Sequence, residues 1–453
     1  MLPPPLKYYL SCNVFKHRDV RNVRNTPFYR PFLLINRIEQ DRCLKDQSMP
    51  TAHVHTEQIL AAYVVLWLIR ATASLCGKGV SFMQPSYVGI LINDKLHRRL
   101  STGDTKYEAV DFYVEAGMKY GLTPCFFRIQ DVRSGNPCIK AFIKESDRFI
   151  HKTVPMPQVI HNRAIYPGKR EYDKLCSWVD SGTQLFNHWN RYGKLETHQH
   201  LMNDSTLEPH LPVTFEATEA NLSIMMELYD KIIIKPDRSS IGRGVMLLQR
   251  AGDGWKLTCP ASIRIHNKKW LNLEFKGTRL PSLLKKRMRK MNYIVQQHLP
   301  LATYQGKPFD MRVSVQRDGT GEWQVTGLVV KVAAPNLFLT NVAQGGSVHR
   351  LQTILTEEYA HLQHESIIDE IHSFSLKVAR QLSQSLPHMA DLGLDIGMTT
   401  DGSPLFIECN GKDQRYSFQE AGMLEEWRAA FYNPIAYSHY LLNTCIMTKE
   451  SDP

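Results

Sequence analysis

The sequence predicts an α/β protein in which a small α/β domain precedes a longer α/β unit. Three observations lead to this class. Composition is that of an ordinary globular protein, with 43% hydrophobic and 22% charged residues. From residue 87 onward, short apolar runs alternate with segments of helical spacing. Several later runs are joined by short glycine-containing turns, as in hairpins. With 453 residues, the chain is long enough for two or three domains.

The small domain is expected at residues 83–185. Strand, helix and strand follow one another there, and this order favours a parallel sheet. The helix shows apolar spacing and stops at Gly121, a common helix terminator. The predicted elements are strands at Tyr87–Ile92, Pro124–Ile129 and Pro157–Asn162, and a helix at Tyr107–Tyr120.

The longer unit is expected at residues 186–445, followed by a tail at 446–453. Helices are predicted at Lys194–Met202, Ala217–Tyr229, Pro281–Met291 and Glu365–Leu386. Strands are predicted at Lys231–Pro236, Val245–Gln249, Tyr293–His298, Phe309–Gln316, Trp323–Ala333, Gly393–Met398 and Pro404–Asn410.

Residues 1–82 form a basic extension without clear periodicity. They carry eleven Lys/Arg and five acids, so this segment supplies six of the net +11 charges and the remaining 371 residues only five. We expect it to be poorly ordered and outside the functional fold, with Met83 as an alternative start. The apolar run Ile59–Ile69 is too short to span a bilayer, although it could form an amphipathic or partner-binding helix.

The nine cysteines are scattered, with no CxxC pair and no zinc-finger spacing, which favours a reduced, cytoplasmic setting. No recognition motif for nucleic acid is present, so the basic charge alone predicts no specific nucleic-acid partner. No membrane span is expected.

A phosphate site is predicted where a buried strand ends in a lysine. Lys235 closes the apolar run that begins at Lys231, and a buried lysine calls for an anionic partner. The loop that follows contains two serines and two glycines whose N–H groups can approach a phosphate closely. A plain hairpin turn is the alternative. The loop residues concerned are Ser239, Ser240, Gly242 and Gly244.

A metal site is predicted on the last two strands. Asp395 and Glu408 lie on strands joined by a short turn, and Asn410 shares the face of Glu408. Two carboxylates and an amide oxygen suit a hard cation, and Mg²⁺ is preferred when nucleotide phosphates complete the shell. The alternative, a solvated strand face, fits poorly with the apolar neighbours of these residues.

Three further polar residues are candidates for contacts with the reacting groups. Arg312 alternates with apolar residues on its strand and could form forked contacts to phosphate or carboxylate, or only a surface salt bridge. Lys331 ends a strand, and Asn341 opens a polar loop that contains Gly345 and Gly346.

In combination, these motifs resemble the ATP-grasp superfamily, and in detail its YheC/YheD branch of endospore coat-associated proteins. The resemblance covers about Tyr87 to Leu442 and depends on motifs that are weak singly but follow in order. They are Lys194, Leu211-Pro212-Val213-Thr214, Ile234-Lys235-Pro236, Ser240-Ile241-Gly242-Arg243-Gly244, Val295-Gln296-Gln297, Phe309-Asp310-Met311-Arg312, Thr340-Asn341, Gly345-Gly346, Leu394-Asp395 and Ile407-Glu408-Cys409-Asn410.

The resemblance implies that residues 186–445 form an ATP-grasp domain of two α+β lobes, preceded by the small parallel-sheet α/β domain. It also implies a role for each site residue, with ATP and Mg²⁺ as cofactors. Lys194 and Lys235 would hold the ATP phosphates beneath the Ser239–Gly244 loop. The adenine would border Gln296, Gln297 and Leu299. The transferring phosphate would face Arg312, Lys331 and Asn341, and Mg²⁺ would bind Asp395, Glu408 and Asn410.

Two departures from the superfamily pattern concern recognition. Gln296 stands where many members have glutamate, and Gly411-Lys412-Asp413 replaces the usual small residue and proline, which places a lysine near the substrate. The function implied is an ADP-forming carboxylate–amine ligase that works through an acyl phosphate on an amino acid or peptide, in sporulation or spore coat formation. The alternatives are a non-catalytic spore-envelope protein that keeps an ATP-binding fold and, last, a nucleic-acid binder.

Overall fold

The computed structural model of the chain describes residues 86–262, 269–335 and 337–450. The predictions for residues 1–82, including the helix at Ile59–Ile69, lie outside these residues. Three β-sheets organise the described part, and each has its own apolar core. The α/β class predicted from the sequence is confirmed.

The first sheet has six strands in the spatial order β4-β3-β2-β1-β5-β6. Four of them, β2, β1, β5 and β6, are parallel; a parallel arrangement was predicted for the first three, whereas β6 was not identified from the sequence. The hairpin of β3 and β4 adds two antiparallel strands at one edge that the sequence analysis did not identify. The strands are β1 (Ser86–Leu91), β2 (Leu122–Phe127), β3 (Cys138–Glu145), β4 (Arg148–Pro155), β5 (Val159–Asn162) and β6 (Gln184–Phe186).

Three helices accompany this sheet: α1 (Asp94–Leu100), α2 (Val110–Tyr120) and α3 (Lys169–Asp180). Helix α2 begins three residues later than predicted. It ends at Gly121, whose φ of 66° is left-handed and whose N–H bonds to the carbonyl of Gly117.

The second sheet is antiparallel throughout, in the order β11-β10-β9-β8-β12-β7. Helix α4 (Lys194–Leu201) precedes it, while α5 (Glu219–Leu228) and α6 (Ser282–Lys290) contribute Leu222 and Leu284 to its core. The strands are β7 (Thr214–Glu216), β8 (Lys231–Pro236), β9 (Met246–Ala251), β10 (Gly254–Pro260), β11 (Trp270–Lys276) and β12 (Tyr293–Gln297).

The third sheet is also antiparallel, in the order β16-β15-β14-β17-β18, with β13 paired to β14. Helices α7 (Leu351–Glu358) and α8 (His364–Ser385) accompany it, and α8 buries apolar residues at helical spacing against the sheet. The strands are β13 (Thr303–Tyr304), β14 (Lys307–Arg317), β15 (Trp323–Val332), β16 (Ser347–His349), β17 (Asp391–Met398) and β18 (Pro404–Asn410).

The chain ends in helices α9 (Tyr416–Glu420) and α10 (Leu424–Glu450). Helix α10 returns to the first sheet, where Phe431 and Ile435 are buried in the same core as Val88 and Ile90. Helical structure therefore continues through most of the segment predicted as a tail, and the last helix joins the core of the first sheet. The division at residues 83–185 and 186–445 stays a prediction.

Within the described ranges, no helix combines the length and apolarity needed to cross a membrane. Five cysteines in these ranges are free thiols: Cys125, Cys138, Cys176, Cys259 and Cys409.

Candidate functional site

The third sheet has one apolar face and one polar face, because residue types alternate along its strands. On β14, Met311 and Val313 face the core, while Arg312 faces the other side. On β17, Leu394 and Ile396 face the core, and Asp395 lies directly opposite Arg312. The polar face thus carries charged or amide side chains from four adjacent strands, namely Lys331 (β15), Asp310 and Arg312 (β14), Asp395 (β17), and Glu408 and Asn410 (β18).

Asp395 is the centre of this charged face. It is 3% exposed and accepts hydrogen bonds from Arg312 Nε and Lys331 Nζ, both at 2.9 Å. Burial alone would raise the pKa of Asp395, but Arg312 and Lys331 outweigh it and hold the pKa well below its usual range. Asp395 is therefore ionised at any physiological pH.

Lys331 and Asp310 form a second pair on the same face, with Nζ and Oδ1 2.8 Å apart. Burial opposes the charged form of Lys331, yet Asp310 and Asp395 raise its pKa. Burial also raises the pKa of Asp310, which accepts a hydrogen bond from Thr340 Oγ1. The sequence analysis did not single out Asp310, whose partners lie far from it in sequence.

A β-bulge directs Glu408 toward Asp395. Ile396 pairs with Phe406, whereas Asp395 pairs with Glu408, so Ile407 is an extra residue on β18. Without it, Phe406 and Glu408 would share a face. With it, Phe406 lies in the apolar core and Glu408 lies on the polar face.

The three predicted metal ligands converge. Asn410 Nδ2 lies 3.4 Å from Asp395 Oδ2 and 3.3 Å from Glu408 Oε1. A half-turn of the amide would direct its oxygen to the same place. The described ranges hold no group of three or more His, Cys, Asp or Glu arranged as a metal site. Two carboxylates and an amide oxygen are nevertheless the donor set that suits Mg²⁺ when phosphate oxygens complete the shell, so the residues fit that ion.

Two lysines approach this face from outside the third sheet. Lys194, at the first turn of α4, donates to the Ser239 carbonyl at 2.9 Å and lies 3.4 Å from Glu408 Oε2. Lys235, at the end of β8, donates to the Ile407 carbonyl at 3.3 Å. Burial lowers the pKa of Lys235 to about 8, although Glu408 opposes this effect.

The loop at residues 239–244, which accepts the hydrogen bond from Lys194 at Ser239, has an unusual backbone. Ile241, Gly242 and Gly244 have φ values of 54°, 68° and 76°, in the left-handed region. A Cβ on Gly242 would lie 2.6 Å from Asn341 Oδ1, so glycine permits the loop to approach Asn341 closely. Ser239 Oγ donates to the Arg243 carbonyl and closes the turn at 2.9 Å.

Gln296, Gln297 and Leu299 border a cavity of about 130 Å³ between the second and third sheets. The Gln296 amide donates to Thr214 Oγ1 at 2.8 Å, and the Gln297 N–H donates to the Val213 carbonyl at 2.9 Å. These bonds fix the end of β12 at the edge of the cavity.

A larger cavity of about 430 Å³ adjoins the first, and Lys194, Ser239, Asn341 and Glu408 line both. The structure therefore brings most of the predicted site residues together. Those lining only the larger cavity are Ser240, Arg312, Lys331 and Asn410. Those lining only the smaller one are Lys235, Gly242, Gln296, Gln297, Leu299 and Asp395.

Gly244 lines neither cavity. A Cβ on Gly244 would lie 2.9 Å from Pro236 Cγ, so the residue shapes the turn. Another residue that the sequence analysis did not assign a role is Asp413, which accepts hydrogen bonds from Ser314 Oγ and, at 3.2 Å, from Arg312 Nη1. Its only sequence signal is its position just after the last motif.

Comparison with known proteins identifies the fold family. Residues 182–441 match the family described as YheC/D like ATP-grasp. The endospore coat-associated protein YheD of Bacillus subtilis (strain 168) is 24% identical, and the match covers 72% of each chain. YheC from the same organism is 22% identical over 72% of this chain and 90% of that protein. The crystal structure of D-cycloserine synthetase DcsG is 12% identical, with a TM-score of 0.46 over 78% of this chain and 99% of that one. Because the family match spans more than half of its length, the chain belongs to the YheC/D-like ATP-grasp family.

Proposed function

We propose that the chain is an ADP-forming carboxylate–amine ligase that binds Mg²⁺-ATP and activates the acid as an acyl phosphate. One observation carries the proposal: a small cavity and a larger one meet at Lys194, Glu408 and Asn341, beside the neutralised charges of the third sheet. The small cavity, bordered by Gln296, Gln297 and Leu299, would take the adenine end of the nucleotide, and the larger one, which has the volume of an ordinary ligand pocket, leaves room for an acid and an amine.

The nucleotide would lie with its adenine against Gln296, Gln297 and Leu299. Its phosphates would extend toward Lys194 and Lys235, beneath the 239–244 loop. Asp395, Glu408 and Asn410 would hold Mg²⁺, which supplies charge neutralisation at the phosphate oxygens when it is bound.

Arg312, Lys331 and Asn341 would act at the reacting centre. A carboxylate oxygen of the acid attacks the γ-phosphorus, and the bond to the ADP oxygen breaks. Arg312 and Lys331 stabilise the charge that develops on the transferring group, because Lys331 is buried, Arg312 is only partly exposed, and acidic partners hold both in place. An amine then attacks the acyl carbon, phosphate leaves, and the amine loses its proton as the amide forms.

The glycine loop would exclude water from this intermediate. Its left-handed residues allow a close approach to Asn341, and closure over the phosphates would prevent hydrolysis before the amine attacks.

Nucleotide binding is the first test. Calorimetry with ATP, with and without Mg²⁺, should show Mg²⁺-dependent binding that Lys235→Ala weakens at least about tenfold, since it removes a charged phosphate contact. Lys231→Ala is the matched control, because Lys231 is the exposed first residue of the same strand. Equal affinity in the two folded variants would refute the phosphate assignment.

The acyl phosphate is the second test. A panel of acids is incubated with the protein, ATP and hydroxylamine, and mass spectrometry looks for the hydroxamate and for ADP with phosphate. Glu408→Gln should abolish the product because it removes one metal-binding charge at nearly constant volume. Glu365→Gln, at the exposed start of α8, should not. Products of AMP and pyrophosphate would contradict the mechanism. Binding without turnover across the panel would favour the non-catalytic alternative.

The names of the two curated relatives extend the proposal to a role in spore coat formation, with synthesis in the cytoplasm. A fluorescent fusion imaged through sporulation, in a spore-forming host, should label the mother cell or the forespore surface. A signal that never associates with the spore would contradict this part of the proposal.

A further inference from the structure

The lining of the larger cavity is strongly cationic. Among the residues that the structure describes, seven Lys or Arg side chains line it, but only one acid, Glu408. A nucleotide phosphate chain explains part of this excess, because Lys194 also lines the smaller cavity. The remaining charges need another explanation.

Three of the seven cations are neutralised within the site. Lys194 lies 3.4 Å from Glu408. Arg312 is shared between Asp395 and Asp413, at 2.9 and 3.2 Å. Lys331 is paired with Asp310 and Asp395. Their positive charge is largely balanced before any ligand binds.

The other four cations are much less compensated. Arg238 has only long contacts, 3.6 Å to Glu196 and 3.7 Å to Asp237. The Arg191 guanidinium donates to the Arg238 carbonyl, a neutral group. Arg243 is exposed on the glycine loop and has no acidic partner within the described ranges.

Lys412 is the most informative of the four because it is half-buried at the wall of the cavity. No hydrogen bond or ion pair joins its Nζ to any residue of the described ranges. Glu108 is the acid that favours its charged form most, but Arg163 Nε already binds that carboxylate at 2.8 Å, and Arg163 and Arg415 oppose the charge on Lys412. A half-buried lysine without its own acid is costly unless a ligand supplies the negative charge.

We infer that the acid activated in this cavity carries a second anionic group, which is bound by Lys412 and by Arg191 and Arg238 of the same cavity lining. The inference rests on the proposed function, since the first carboxylate is the one that is phosphorylated. The volume of about 430 Å³ accommodates a substrate of this kind. The second group can be a carboxylate or a phosphate, because both match the arginine fork and the lysine charge.

The test is calorimetry on the full chain saturated with ADP and Mg²⁺, at constant ionic strength. Three probes of similar size are compared: N-acetyl-glutamine with one negative group, N-acetyl-glutamate with a second carboxylate, and N-acetyl-phosphoserine with a phosphate. We expect at least one doubly anionic probe to bind about tenfold more tightly than N-acetyl-glutamine, the value of one charge-assisted contact. The two doubly anionic probes distinguish the two sources of the charge.

Variants show whether the preference belongs to this site. Lys412→Gln should reduce the preference about tenfold, while Lys140→Gln, an exposed lysine on β3, should leave it unchanged. ADP binding by each variant is measured alongside, so a misfolded variant is recognised. Arg191→Gln provides a second variant if Lys412→Gln does not fold.

Failure of the inference differs from failure of the proposed function. If ADP binds but the three probes bind equally weakly, or not at all, the inference is wrong while nucleotide binding stands. Equal losses in Lys412→Gln and Lys140→Gln would also overturn it. If ADP itself does not bind, the proposed function fails first.

Discussion

Two buried carboxylates, Asp391 and Asp395, lie on the same face of β17, and the difference between their surroundings separates a structural network from a candidate site. Both are ionised, because arginine neighbours outweigh burial and hold their pKa values far below the usual range. Asp395 lines the smaller cavity, whereas Asp391 is 1% exposed and lines neither cavity of the site.

The Asp391 network connects the first sheet with the third. Asp391 Oδ2 accepts from Arg415 Nη2 at 2.5 Å, His161 at 3.0 Å and Arg163 at 3.4 Å. His161 and Arg163 lie at and just after the end of β5, so charges from the first sheet converge on a strand of the third. Burial lowers the pKa of His161 to about 4 despite Asp391, which keeps the imidazole neutral at pH 7. Both carboxylate oxygens of Asp391 have protein partners, since Gln316 Nε2 donates to Oδ1 at 2.9 Å, and Asp391 does not reach either cavity of the site.

The Asp395 network differs in reaching the smaller cavity. Beyond its bonds to Arg312 and Lys331, Asp395 is adjacent to Glu408 and Asn410 at the edge of the cavity. The contrast teaches that a buried, paired carboxylate is not in itself a functional signal. Adjacent oxygen ligands and access to a cavity are what distinguish the candidate site.

The largest expected effect is that of Asp391→Asn on stability. The change leaves Arg415 fully buried without an acid, so we expect a loss of about 3–5 kcal/mol in the free energy of unfolding. Nucleotide affinity of the remaining folded protein should be unchanged. Chemical denaturation and calorimetry measure the two quantities. Asp173→Asn, which breaks an exposed pair with Lys169, is the control and should cost at most about 1 kcal/mol. Similar costs for the two variants would show that the network is not a structural one.

The second prediction is the opposite combination: a smaller loss of stability together with a loss of nucleotide binding. In Asp395→Asn, Arg312 keeps Asp413 and Lys331 keeps Asp310, so we expect a stability loss of about 3 kcal/mol or less. Mg²⁺-dependent nucleotide binding should be lost, since a charged ligand is removed. The same two measurements apply. Retained Mg²⁺-dependent affinity would remove Asp395 from the metal site.

The third prediction concerns Gly393, which lies between the two carboxylates on β17. A Cβ there would lie 2.8 Å from Arg312 Nη1 and even closer to Asp413 Oδ1. Gly393→Ala should therefore displace the Arg312–Asp413 pair and cost about 1–3 kcal/mol by overpacking. Gly319→Ala is the control, because its nearest neighbour, Ala436 Cβ, lies at an ordinary 3.5 Å. Wild-type stability of Gly393→Ala would indicate that the pair can shift freely.

Alternation along the strands made much of the third sheet predictable. Arg312 and Asp395 alternate with core residues, so their shared face could be read from the sequence, although their roles stay predictions. The bulge could not be read, because Leu405, Phe406 and Ile407 are all apolar and any of them could have been the extra residue. The short turn between the strands therefore predicted that Asp395 and Glu408 face one another. It did not predict the β-bulge that brings them together.

Contacts between distant segments could not be predicted. Asp413 binds Arg312 across 101 residues, and helix α10 packs against strands more than 300 residues earlier in the chain. Neither leaves a local pattern, because the partners are chosen by the tertiary fold and not by spacing. Asp310 was overlooked for the same reason, since its pairing with Lys331 depends on the register of β14 and β15.

The smallest expected effect is a pH dependence of nucleotide affinity that is caused by Lys235. The groups of the Asp391 network should not titrate in the same pH range. Burial lowers the pKa of Lys235 to about 8, so the free protein loses this charge as the pH rises through 8. Bound phosphates favour the protonated lysine, and binding above pH 8 must therefore take up a proton. ADP affinity should fall about fourfold between pH 7 and 8.5, as one titrating group of that pKa requires. Lys235→Met should bind more weakly but with a flat profile. Burial also lowers the pKa of Lys412 to about 8, so Lys412→Gln is the necessary control and should keep the slope.

Stability of the nucleotide-free protein gives the contrasting measurement. Over this pH range Asp391 is ionised in both the folded and the unfolded chain, and His161 is neutral when folded and largely neutral when unfolded, so their network contributes almost no slope to it. An affinity that does not change with pH in the wild type, or a slope that survives in Lys235→Met, would mean that the lysine does not meet the phosphates.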